Sequence, residues 1–215
     1  FKGITMSHSS SDDLFVQVRT AHRLLAAYYQ RLLPTIESIG KEANTVFDSW
    51  TPQLFNRPGK NPFDKWQWDL LPALVARYIF KNVNDNAKVS RNDYVVEFIV
   101  INDSGIVEEE RHHQPDGLKL KQSVDKAKSV LQVGIYRSAI DSEVSFDRKW
   151  NQGNYPDYSK KSQQKWDNDF VVAGFEVPLD NLMTDEGILA INEMIASYLE
   201  QTAEEISAHK GEVEA

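Results

Sequence analysis

The sequence predicts an α+β fold. It has a helical N-terminal part, then a mainly antiparallel sheet of about four strands, then a C-terminal helix packed on that sheet. Three observations predict it. Apolar residues recur in steps of three and four from Leu14 to Val46 and again from Ile188 to Ile206, the helical period. Runs of β-branched and aromatic residues lie between them, clearest at 94–101. Helical and strand patterns are segregated along the chain rather than alternating, which disfavours repeated βαβ units.

The elements follow in order. Residues 1–5 precede Met6-Ser7, which reads as a natural start, and are left out of the fold reasoning. Ser9 to Ser11 offer N-caps, and Asp12 and Asp13 suit the positive end of a helix. That helix is expected to reach about residue 47, kinked or split at Pro34, which lacks an N–H. Its stripe is read as a core face, with a coiled-coil dimer as the other reading. Thr51 to Pro62 is a turn cluster. A second helix is expected from Phe63 or Asp64 to Lys81, with Pro72 as a first-turn proline. Tyr94 to Ile101 is a strand. Asn102-Asp103-Ser104-Gly105 turns the chain, and 106–111 returns as a hairpin arm. Leu118 to Lys128 reads as helix or strand. Val130 to Ile140 and Phe170 to Val177 read as strands, and a helix begins near Thr184. A division into 6–82 and 93–208 has its hinge at 83–92, the two parts forming one compact unit.

Composition narrows the chemistry. The chain has 215 residues and no cysteine, which excludes disulfide scaffolds, thiolate metal sites and cysteine nucleophiles and fits a cytoplasmic protein. No apolar run approaches the roughly 20 residues that cross a bilayer, so no membrane partner is expected. The net charge of −8 is uneven: residues 171–215 hold ten Asp and Glu against Lys210 alone. Glu193, Glu200 and Glu204 fall along one side of the C-terminal helix, a solvated face or a basic partner's contact.

The most unusual stretch is 141–169, a connection with no clear period between two predicted strands. It carries Phe146, Trp150, Tyr155, Tyr158 and Trp166, interleaved with Arg148, Lys149, Lys160, Lys161 and Lys165. Rings among cations suit a protein hot spot, and equally a platform on which bases stack and phosphates pair. The plainer reading is a lid whose rings complete the core. Trp66, Trp68, Arg57 and Lys60 form a second candidate, a cation-rich aromatic pocket, against simple helix packing. His112-His113 alternate across a strand and chelate poorly, so no metal is assigned. Asp93, Glu97 and Glu176 could surround a metal in a degenerate nuclease, but neither glutamate begins the Glu-x-Lys such a site uses. If buried, Glu97 and Glu176 need partners, and Arg137 is a candidate.

No phosphate loop, dinucleotide fingerprint or nucleophile elbow occurs. The expected function is therefore a non-enzymatic binding or regulatory protein that contacts a partner, another protein, through 141–169, without a cofactor. The alternative is a nucleic-acid binder or processor. Self-association through the N-terminal helix is a further expectation.

Overall fold

The structure, a computed structural model, describes residues 8–53, 74–106, 120–159, 162–167 and 169–213. Helix α1 (His8–Glu42) passes Pro34 as one element, so of the kink or split expected there the split does not occur. It ends earlier than its apolar pattern suggests. Asn44 adopts φ 55°, a left-handed conformation that asparagine tolerates and that stops a helix. The Thr45 amide and hydroxyl both donate to the Gly40 carbonyl, at 3.2 and 2.5 Å, and close the last turn. A Cβ on Gly40 would overlap the Phe80 ring, so only glycine lets α1 settle this closely on the sheet.

Six strands form one antiparallel sheet: β1 (Val46–Pro52), β2 (Val75–Asn82), β3 (Tyr94–Ile101), β4 (Val130–Ser138), β5 (Ser162–Asp167) and β6 (Phe170–Pro178). Their order is β1-β2-β3-β4-β6-β5. β2 lies where helix was expected, and β1 begins in the last residues assigned to the first helix. Val75 to Asn82 is a short run buried on both faces, and such runs do not reveal their period. Val46 and Phe47 continue the helical spacing only by coincidence, because Asn44 has already turned the chain. Residues 104–106 make a single 3₁₀ turn, and the rest of the expected hairpin arm, 107–111, lies outside the described residues. Residues 120–128, read as helix or strand, are turns and irregular chain.

The sheet has two differently covered faces. Ala76, Tyr78 and Phe80 of β2, Val96, Phe98 and Val100 of β3, Leu131, Val133 and Ile135 of β4, and Ala173, Phe175 and Val177 of β6 face the helices. There they meet Leu32, Ile36 and Ile39 of α1 and Ile191, Ile195 and Tyr198 of a second long helix. One core thus spans the expected boundary at 83–92. The short helix α2 (Phe146–Trp150) lies on the opposite face, and the long C-terminal helix is α3 (Asp185–Val213). Thr184 opens α3 by accepting the Gly187 amide at 3.1 Å. Its stripe continues through Thr202 and Ile206, both buried.

Candidate functional site

The face opposite the long helices holds a charge in the middle of the sheet. Glu97 is 0% exposed. It stands opposite Ile79 of β2 and Gly134 of β4, and Gly134 stands opposite Gly174 of β6. Two neighbouring strands therefore carry no side chain beside the carboxylate. Arg77, diagonal to Glu97 on β2, donates from Nε to Glu97 Oε1. Tyr136 lies back across Gly134 and donates to Glu97 Oε2 at 2.8 Å. A Cβ on Gly134 would sit 3.0 Å from that tyrosine ring. Tyr158, from the segment after β4, adds a second hydroxyl to Oε2 at 3.3 Å. The carboxylate is thus paired and hydrogen-bonded, as a buried charge requires. Burial pushes both phenols well above their ordinary pKa, and the Glu97 charge pushes them further. Both remain protonated donors at neutral pH.

Residues 141–159 cover this cluster. Pro156 and Tyr158 lie directly over Gly174, where a Cβ would meet Pro156 at 2.7 Å. Phe146 and Trp150 pack with Ile79, Val95, Tyr136, Phe170 and Val172. The Arg77 guanidinium sits 4.8 Å from the Trp150 ring centroid and 5.6 Å from that of Tyr155. Lysine–carboxylate pairs fasten the rim. Lys149 bonds Asp169 at 2.6 Å, and Lys81 bonds Asp147 at 2.6 Å and Asp48 at 2.8 Å. Burial lowers the pKa of the Lys81 ammonium, but the two carboxylates outweigh it and hold the group above its ordinary value. A small cavity of about 100 Å³ remains beside Arg77, Trp150 and Tyr155.

The predicted contact residues therefore divide. Trp150 is 7% exposed and part of the core. Tyr158 is half-buried and engaged with Glu97, and Lys149 is half-buried and paired with Asp169. Arg148 and Tyr155 stand exposed. Lys165 and Trp166 lie on β5, Lys165 at the register shift between Gln164 and Trp166. Lys160 and Lys161 lie outside the described residues, as do Arg57, Lys60, Trp66 and Trp68.

The three carboxylates considered for a metal are not brought together. Asp93 accepts from the Asn84 amide at 3.2 Å, the Asn84 side chain at 2.8 Å and the Ser90 amide at 2.8 Å, which folds the 83–92 loop. Glu176 is exposed and accepts from Gln132 at 2.8 Å. Arg137 is not the partner of either glutamate. It faces the helices and donates to Thr202 at 3.1 Å and to the Leu199 carbonyl at 3.0 Å. Arg77, the true partner of Glu97, was assigned to a helix by the sequence pattern. The visible signal was elsewhere: a glycine inside each of two apolar strands, which marks close approach of other chain.

A second feature lies at the other side of the molecule. β1 is an edge strand with a bulge between Phe47 and Ser49. Three residues apart, Phe47 and Trp50 would point to opposite faces of a regular strand. The bulge inserts Asp48, which turns toward Lys81, and brings both rings to the helix face, opposite Phe80 and Tyr78. Phe47 meets Phe80 edge-on at 5.4 Å, and Trp50 stacks on Tyr78 at 6.3 Å. With Tyr29, Leu33 and Pro34 of α1 they line a groove of about 510 Å³. Phe47 stays 47% and Trp50 56% exposed. Burial beside Tyr29 pushes the Tyr78 phenol up to about 12.

The sequence places this arrangement in a known group. The PM0109 family model matches residues 8–205, from the start of α1 to the last turns of α3. The chain belongs to the PM0109 family. The family match covers all six strands and both sheet faces in one unit. Comparison with curated proteins and with solved structures gave no match. No helix among the described residues is long and apolar enough to cross a membrane.

Proposed function

We propose that this PM0109-family protein is a non-enzymatic binding protein that seats an apolar segment of a partner protein in the groove between α1 and β1. The observation that carries the reading is the half-exposed pair Phe47 and Trp50 on a bulged edge strand, above a groove floored by Tyr78 and Phe80. Large rings held rigidly beside a concave apolar surface are what protein interfaces use as anchors. An edge strand also offers unpaired main-chain groups to an incoming strand. The 141–169 segment is the weaker surface, because Phe146, Trp150 and Tyr158 are spent on the sheet. The same engagement leaves few free rings for stacked bases. The role is placed in the cytoplasm, a compartment that a cysteine-free chain fits.

The test is a photoreactive side chain at position 50 of the full chain, expressed in its native cells, with the same group at Glu143 on the opposite face as control. A discrete adduct with another protein from position 50, absent at 143 and lost on Phe47→Ser, supports the reading. Adducts with the chain itself alone overturn it, and so does labelling that is equal at both positions.

A further inference from the structure

We propose that the N-terminal half of α1 pairs with the same segment of a second copy, antiparallel, about a two-fold axis between residues 19 and 20. Every residue from Asp13 to Ala27 is exposed, on all sides of the helix. Yet this stretch is apolar: Leu14, Phe15, Val18, Leu24 and Leu25 are 41 to 65% exposed. A water-facing helix has no use for such a surface.

The spacing identifies what covers it. Leu14, Val18, Ala21 and Leu25 step by four, three and four, the alternation of a coiled-coil seam. The stripe continues through Tyr28 and Leu32, which pack into the protein's own core. From residue 28 onward the sheet and α3 cover it, and from 14 to 25 nothing described does. Antiparallel helices match unlike seam positions, so Leu14 meets the partner's Leu25 and Val18 meets the partner's Ala21. The segment is its own complement in this register, and four apolar layers close symmetrically. The helix dipoles favour the antiparallel direction, because they oppose each other in that arrangement and would align in a parallel pair. Helix nucleation is already met, because the half from Tyr28 to Glu42 is anchored in the core.

Exchange of seam residues tests the proposal. Sedimentation of the full chain should show a concentration-dependent dimer. Leu14→Glu or Leu25→Lys alone should weaken it at least about tenfold. The double substitution should recover most of that loss, because each introduced carboxylate would then face an introduced ammonium across the axis. In a parallel pair the double variant repels itself instead. Since the chain has no cysteine, engineered ones report cleanly. Leu14→Cys mixed with Leu25→Cys should form a mixed disulfide, whereas Leu14→Cys alone should not, its sulfurs lying about 16 Å apart along the axis. A monomer at every concentration overturns the proposal, as does self-crosslinking of Leu14→Cys or a double variant no tighter than the singles. Circular dichroism of each variant confirms that the fold is kept. Phe47→Ser leaves the dimer unchanged, which separates this seam from the groove.

Discussion

Glu97 and Phe98 are neighbours on β3, both 0% exposed, and they point to opposite faces of one sheet. Phe98 is held by apolar area taken out of water and by its edge-on contact with Phe80 at 5.5 Å. Glu97 is held against its own desolvation by one guanidinium and two hydroxyls. At Phe98 a side chain of the right shape suffices, whereas at Glu97 a complete set of partners is required. Equal burial thus rests on opposite physics, and burial alone does not rank the two.

Single truncations should look alike, and pairs should not. Phe98→Ala should cost about 3–5 kcal/mol in urea unfolding through lost transfer energy and a cavity. Glu97→Ala should cost about as much, 3–5 kcal/mol, because Arg77 is left under the covering segment without its partner. The comparison breaks or holds on the double variant Arg77→Met with Glu97→Leu. It should return to within about 1 kcal/mol of the parent, since well-packed apolar residues often replace a buried ion pair without loss. A double variant as unstable as Glu97→Ala would mean that the covering segment depends on the charges themselves.

Smaller effects localise the difference. Gly174→Val should cost about 1–3 kcal/mol by lifting Pro156 and Tyr158, and faster hydrogen exchange should appear at 145–159 but not in α3. Tyr158→Phe removes one donor from the carboxylate and should cost about 1 kcal/mol, with its exchange effect confined to the same segment. The smallest effect is alkaline. The folded-state pKa of the Tyr78, Tyr136 and Tyr158 phenols is raised above the ordinary value of 10.0, so the unfolded chain loses these protons first. Their stabilising share is intact below pH 10 and falls as pH rises, for Tyr78 through about pH 12. Tyr136→Phe should flatten that decline more than Tyr78→Phe, because the Glu97 charge adds to burial only on its face. Urea midpoints followed against pH would show it.

Much of the helix face could be read from the sequence, because its elements repeat at one period. The stripe of α3, from Ile191 to Ile206, and strands β3, β4 and β6 sit within two residues of where their apolar runs place them. β2 could not be read, since Val75, Ala76, Ile79 and Phe80 are buried on both faces and alternation vanishes. β5, Ser-Gln-Gln-Lys-Trp-Asp, is a polar edge strand with no apolar rhythm. The charged cluster was half legible. Glu97 stood out as the one charge in its strand, but Arg77 was hidden with β2. Tyr158 reaches the carboxylate only because Gly134 and Gly174 align across β4 and β6, a register that no local pattern contains. The groove depended on one inserted residue, Asp48, whose effect on the direction of Trp50 appears only when β1 is paired.

The strand order also gives the cover over Glu97 a topological role. β1 to β4 form a meander in which each strand pairs with its predecessor, and β5 and β6 are a hairpin. The one pairing between strands that are not consecutive in the chain is β4 with β6. The chain between them is the segment that carries Trp150 and Tyr158, and its Lys149 bonds Asp169 at the mouth of β6. The cover over Glu97 is therefore also the tie that joins the four-strand meander to the terminal hairpin in one sheet.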